Sequence, residues 1–295
     1  MIKRWFHVVT FIVGCSVCAG CSFIERKGVD SATPLLADAV DNLLGFKNAQ
    51  VAHEGLPGNA LLISALCEFS PQNDRLLALA SMAYCAYGLT FEGDLLNPED
   101  KPYVMELYKI GSDYGLRALQ VRNKAIRQGL EQGKHFMDLA KNIKKGDVPS
   151  AFWYGMNSGL RIMLEMDKPE MLIGLGDVLA LMDKIIALDD SYFFYAPHLF
   201  QGAYSILAGP MLGGGTEKAK KEFEAAFQST NNKFLLAHVF YARFFATTIV
   251  DEKLFDSTLN YVLKTPASVY PEAQLANDIA KRKAVWLMNN KDKFF

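Results

Sequence analysis

Apolar positions recur at helical spacing along nearly the whole chain, and no stretch alternates apolar and polar residues for long enough to read as a strand. The pattern predicts helices over about 35–51 and 58–69, then a stop and a fresh N-cap in "SPQND" at 70–74. A third helix runs to about residue 92, and long amphipathic segments follow from 102 to about 145. "KGDVPS", "MDKPE", "LDDSY", "STNNK", "IVDEK" and "KTPASVYPE" then separate six further helices. Connections this short and polar favour antiparallel neighbours. The expected fold is therefore all-α, an array of antiparallel helical hairpins forming one domain over residues 35–291.

Hairpins in series raise the question of repeats. Units starting near Ala151, Tyr192, Phe234 and Tyr270 are spaced by 41, 42 and 36 residues, in the range of helix-pair solenoids, where tetratricopeptide repeats have about 34. In the second unit Ala219, Phe223 and Ala226 reproduce the Ala-x3-Phe-x2-Ala pattern expected of the second helix of such a repeat. The array is expected to consist of degenerate, irregular tetratricopeptide-like repeats.

The N-terminus bears on compartment. Lys3 and Arg4 precede the uncharged apolar run "WFHVVTFIVGCSVCAG", which has the form of a secretory signal peptide over residues 1–20. Its ending, "CAGC", resembles the lipobox of bacterial lipoproteins, with Cys21 as the acylated residue and Cys18 where Leu, Val or Ile is usual. "IVGC", ending at Cys15, is the alternative, with a shorter apolar segment. Residues 21–34 then read as a lipid-anchored tether, and Ser22 after the cysteine suggests the outer rather than the inner membrane of a periplasmic compartment. Removal of Lys3 and Arg4 takes the formal charge from −1 to −3. That balance, with export, excludes a nucleic-acid partner. Cys67 and Cys85 remain, and on neighbouring helices their heights differ by roughly 10 Å at 1.5 Å per residue, too far for a disulfide.

The stretch "LAGPMLGGGTEKAKKEFEAAF" at 207–227 has a superficial likeness to a phosphate-binding loop. It lacks the preceding strand and the G-x4-G-K-[ST] spacing. Gly213 to Gly215 are expected to turn the chain, with Thr216 capping the next helix. Between Arg117 and Lys145, eight basic residues face only Glu131 and Asp138. A solvated helix face accounts for them, and an anionic membrane surface or acidic partner is the alternative.

From Ser191 to Thr216 there are 26 residues without one Asp, Glu, Lys or Arg, so this helix is expected to be surrounded by protein; a membrane span is the alternative, disfavoured by Pro197, His198, Gln201 and Gly202, which break up the apolar run. "AFWYGMNSGL" at 151–160 and the aromatic pairs around Phe240 and Phe244 share that character. The three helices are expected to meet in an interior containing Trp153, Tyr154, Asn157, Tyr195, His198, Gln201 and Tyr204. Apolar walls with a few placed polar groups suit a small-ligand cavity, and core packing with satisfied polar atoms is the alternative. His198 has no metal-binding companion near it in sequence.

"ALLISALCEFSPQNDRLLALASMAYCAYGLTFEGD" at 60–94, "AFWYGMNSGL" and the triple-glycine phrase together resemble the T component of tripartite ATP-independent periplasmic (TRAP) transporters. The resemblance implies a lipoprotein of cryptic tetratricopeptide-like repeats that works beside a periplasmic substrate-binding subunit and holds apolar ligands. It carries over no catalytic residue and no cofactor. The residues themselves offer no acid–base pair, nucleophile constellation or metal spacing, so the expectation is a non-enzyme. Two readings stand: a lipid-anchored transport accessory with an internal ligand cavity, or a structural scaffold for envelope assembly that holds nothing. Self-association into a homo-oligomer is compatible with either.

Overall fold

The computed structural model describes residues 24–91, 100–165 and 168–295. The signal segment, Cys21 and the start of the tether lie outside these residues. Among the described residues there is no strand, and the chain forms helices throughout. They are α1 (24–44), α2 (Ala49–Phe69), α3 (Asp74–Phe91), α4 (Lys101–Arg122), α5 (Lys124–Glu131), α6 (Phe136–Leu139) and α7 (Val148–Met163). Then come α8 (Pro169–Asp189), α9 (Tyr192–Ala208), α10 (Thr216–Ser229), α11 (Leu235–Phe240), α12 (Glu252–Lys264) and α13 (Gln274–Asn289). A π-helical turn, Tyr241–Ala246, continues α11.

Several boundaries follow from side chains that the sequence displays. Asn123 ends α4 and caps α5, its Oδ1 accepting from the Ala125 and Ile126 amides at 3.1 Å each. Asn48 caps α2 in the same way, accepting from Gln50 and Val51. That cap starts α2 well before the expected Gly58, and the helix runs through Pro57. An interior proline costs about 3 kcal/mol, which the tertiary contacts of α2 outweigh.

The largest departure is α1. The polar phrase "SFIERKGVDSATP" reads as tether, yet the chain is helical from residue 24. What holds it is distant in sequence. Asp30 Oδ1 accepts from Ser70 Oγ at 2.5 Å and from Asn73 Nδ2 at 2.8 Å, and Asn73 also donates to Thr33 Oγ1. The Ser70 hydrogen bond, opposed by some desolvation and helped by Asn73 and Arg26, holds the Asp30 carboxyl below the usual carboxylate range. Helix α1 thus lies antiparallel to α2, with Val29 and Leu36 packed on the Ile63, Cys67, Leu76 and Leu77 cluster.

Successive hairpins stack α3 on α4, α4 on α7, α7 on α8, α8 on α9 and α9 on α10. In the last of these, Gly202 of α9 sits against the Phe223 ring, where an added Cβ would lie 2.8 Å from it, and Ala219, Phe223 and Ala226 are all buried. The C-terminal helix then returns to the beginning. Helix α13 packs on α2, and the Ala49 amide, the first free N–H of α2, donates to Asp278 Oδ2 at 2.8 Å. The second helix and the last are thus in direct contact. Cys67 and Cys85 are both buried and form no disulfide, and burial pushes the Cys67 thiol up to about 11.

Among the described residues, half of the large exposed apolar side chains fall within residues 24–69. Ile24, Leu35 and Leu43 line the outer face of α1, and Val51, Leu62 and Phe69 that of α2, with Leu35 72% and Leu62 58% exposed. Gly55 and Gly58 lie on the same α2 stripe, and each has open space where a Cβ would be.

Candidate functional site

An open cleft of about 730 Å³ lies where the N-terminal ends of α7 and α9 meet α1, α3 and the turn at Tyr270. Helix α1 supplies Ala37, Asp41 and Leu44, α3 supplies Arg75, Ala78 and Met82, and α7 supplies Pro149 and Trp153. The size is that of a small-ligand pocket.

One wall is aromatic and continuous. The Trp153 ring meets Phe193 edge-on at 4.8 Å, Phe193 meets Phe194 at 5.3 Å, and Phe194 meets Tyr270 edge-on at 5.4 Å. Trp153 Nε1 donates to the Tyr192 hydroxyl at 3.1 Å, which fixes the indole. The wall depends on an unusual backbone: Phe193, Phe194 and Tyr195 have φ of 46°, 59° and 59°, a left-handed turn at the start of α9. For residues with a Cβ this costs roughly 1–2 kcal/mol each. Packing of Phe193 against Phe152 and Trp153, and of Phe194 against Phe234, holds it in place. Strain of this kind concentrates at functional sites.

Two carboxylates, Asp41 and Glu272, line the same cleft. Burial raises the Tyr192 phenol above its ordinary value, and the charges of Asp41 and Asp189 add to the shift. Tyr270 is raised by burial and then by Glu272 and Tyr195. Asp41 and Glu272 therefore lie close enough to the aromatic edge to act on it electrostatically. Neither forms an ion pair among the described residues.

The seven residues expected to line an interior cavity are divided by the structure. Trp153 and Tyr195 line the cleft. Asn157 and Tyr204 are fully buried in the packed centre. Asn157 Nδ2 donates to Trp153 O at 2.8 Å and Ser81 O at 3.1 Å, and the Tyr204 hydroxyl fills the space over Gly159, facing the Met156 carbonyl at 3.5 Å. Gln201, also fully buried, donates to Asp183 Oδ1 at 2.5 Å. His198 Nδ1 lies 2.7 Å from Glu222 Oε2. Tyr154 packs on Phe136 and is raised by burial, against a hydrogen bond from Ser158. The uncharged helix α9 thus borders the cleft only through its first turn, and the rest of its length is core. Tyr192, Phe193, Phe194 and Tyr270 also line the cleft, and the sequence does not mark them as lining residues because no residue type signals a left-handed aromatic turn.

The glycine loop is a turn. Gly209, Gly213 and Gly215 have φ of 65°, 79° and 119°, and the Gly215 amide donates to Ser205 O at 2.7 Å. Gly215, rather than Thr216, is the N-cap residue of α10, and it makes no side-chain capping bond. Lys218 Nζ pairs with Asp183 Oδ2 at 3.0 Å, which leaves it no phosphate-binding posture. In the basic segment, Arg122 bridges Asp74 at 2.7 Å and Asp147 at 3.3 Å, whereas Lys124, Arg127, Lys134, Lys141, Lys144 and Lys145 are exposed. Among the described residues no group of three His, Cys, Asp or Glu is placed to hold a metal. No helix there is long and apolar enough to cross a membrane.

The described residues form an array of helical hairpins with an aromatic-walled cleft, an exposed apolar face and an exposed basic one, an all-helical hairpin protein. A family model for the TRAP transporter T-component matches residues 47–295. The chain belongs to that family, and is an accessory protein of TRAP-type transport. The match begins at the end of the α1–α2 loop, so α1 and its half of the apolar face precede it. No curated protein shows significant similarity to the chain.

Proposed function

We propose that the protein is a periplasmic T component, anchored to the outer membrane through acylated Cys21, that docks a substrate-binding subunit and holds an apolar small ligand in the cleft beside Trp153 and Tyr195. The observation that carries the ligand is the aromatic wall: a strained left-handed turn presents rings to open space where packing alone would fill it. The apolar face of α1 and α2 is the surface offered to the partner subunit, since exposed apolar patches of this kind mark interaction sites.

Two substitutions test the two parts. Ala37→Phe places a ring in the cleft from a half-buried position, so uptake of a fluorescent apolar probe should fall at least tenfold with little change in melting temperature. Leu35→Glu combined with Leu62→Glu should abolish capture of the substrate-binding subunit from the native envelope and leave the fold intact, because both side chains already face solvent. The scaffold reading draws support from the filled centre around Asn157 and Tyr204. It replaces the ligand reading if the wild-type protein takes up no apolar probe. Lipid labelling that persists in Cys21→Ala would move the anchor to Cys15.

A further inference from the structure

We infer that the cleft is built for an organic cation: a ligand whose apolar body lies along the aromatic wall and whose positively charged nitrogen is drawn to the carboxylates of Asp41 and Glu272 that line it. The inference rests on the cleft holding a ligand and names its chemical class. Aromatic faces carry the negative part of the ring quadrupole and attract cations, most strongly where water is excluded, and quaternary ammonium groups are the usual beneficiaries. Here the rings run without a break from Trp153 to Tyr270. Two carboxylates, Asp41 and Glu272, line the same cleft and act electrostatically on Tyr192 and Tyr270.

These two carboxylates come from separate elements, α1 and the turn before α13, and converge on one cavity. Each lacks a cationic partner among the described residues, so the chain itself does not neutralise them. Arg75 of α3 is the cation among the lining residues; it is exposed, forms no ion pair with either carboxylate, and is shared with the adjoining opening beside Asp74 and Ser150. A fatty-acid carboxylate would bring a third negative charge to the aromatic end of the cleft. An ammonium group there meets opposite charges and ring faces together.

The test uses the full chain and three fluorescent probes of equal alkyl length, ending in a trimethylammonium, a hydroxyl or a carboxylate. The ammonium probe should bind at least tenfold more tightly than the carboxylate probe, with the hydroxyl probe between them. Asp41→Asn with Glu272→Gln should cost the ammonium probe about tenfold and leave the hydroxyl probe unchanged; both residues are exposed, and an unaltered melting curve checks the fold. Arg75→Gln should leave ammonium binding equal or tighter, and Ala37→Phe should weaken all three probes. Equal or tighter binding of the carboxylate probe overturns the inference, as does a preference that survives the double variant or ammonium binding that ignores Ala37→Phe. Binding of the hydroxyl probe without charge preference defeats the cation and spares the ligand-holding cleft. Failure of all three probes defeats both.

Discussion

Gly214→Ala is expected to destabilise the protein by about 2–4 kcal/mol, the upper range of forced overpacking in an interior. The added Cβ would fall on the Ser205 carbonyl oxygen, with the carbonyl carbon and Cα of Ser205 at 3.0 Å. These are backbone atoms at the end of α9, and the carbonyl is held by the Gly215 amide at 2.7 Å. A side chain could rotate away, but this strand of helix end cannot. Gly215→Ala should cost about 1–3 kcal/mol for a different reason, since φ of 119° lies where residues with a Cβ are strained. The contrast is Gly55→Ala or Gly58→Ala, both inside α2 with open space around the new methyl. Each should stabilise by about 0.5–1 kcal/mol. Chemical denaturation of the four variants gives the order. A neutral Gly214→Ala would mean that the loop can withdraw from Ser205, and ATP raising the melting temperature would revive the phosphate reading.

The second large effect is acid-dependent and centres on His238. Burial lowers this imidazole from its ordinary 6.5 to about 4, against a hydrogen bond to the Asn232 backbone that works the other way. The ring stacks on Phe227 at 4.3 Å, nearly parallel, and its Nε2 is buried without a hydrogen bond. The folded state therefore keeps His238 neutral at pH values where the unfolded chain binds a proton. The associated stability is complete above about pH 6.5 and is lost progressively as pH falls to about 4, a change of about 3 kcal/mol at most. His238→Phe should remove this loss from the pH dependence of unfolding between those limits. Losses from carboxylates such as Asp30, whose folded value is depressed, remain in the variant and appear at lower pH, as those groups protonate. An unchanged slope between pH 6.5 and 4 in His238→Phe would show that the ring is protonated in the folded protein.

The helical hairpins were legible because their stops and caps are local: "SPQND" divides α2 from α3, and the glycine loop divides α9 from α10. Helix α1 was not, since its start depends on Asp30 reaching Ser70 and Asn73, some forty residues away, and no local pattern reports that. The uncharged character of α9 correctly required burial, but composition cannot distinguish a filled centre from an open one. Asn157 Nδ2 bonds Ser81 and the Trp153 carbonyl, and Tyr204 fills the space above Gly159, so these side chains are packed into the centre, although Asn157 Oδ1 and Gln201 Oε1 are buried there without a hydrogen bond. The open space lies one turn away, where Asp41, Trp153, Phe193 and Tyr270 converge from four parts of the chain. Only Trp153 and Tyr195 belong to both the expected interior and the observed cleft.

The bond from the Ala49 amide to Asp278 also constrains how such a protein can be built and can change. A linear stack of helical pairs is stabilised between nearest neighbours, so it can begin folding anywhere and can grow by copying a unit. Here the first amide of α2 is satisfied by a carboxylate 229 residues further along the chain. That contact forms only once α13 has been made, and its long separation in sequence is of the kind that slows folding. A hairpin inserted between α2 and α13 would have to keep Ala49 within reach of Asp278, a constraint that a linear stack does not carry.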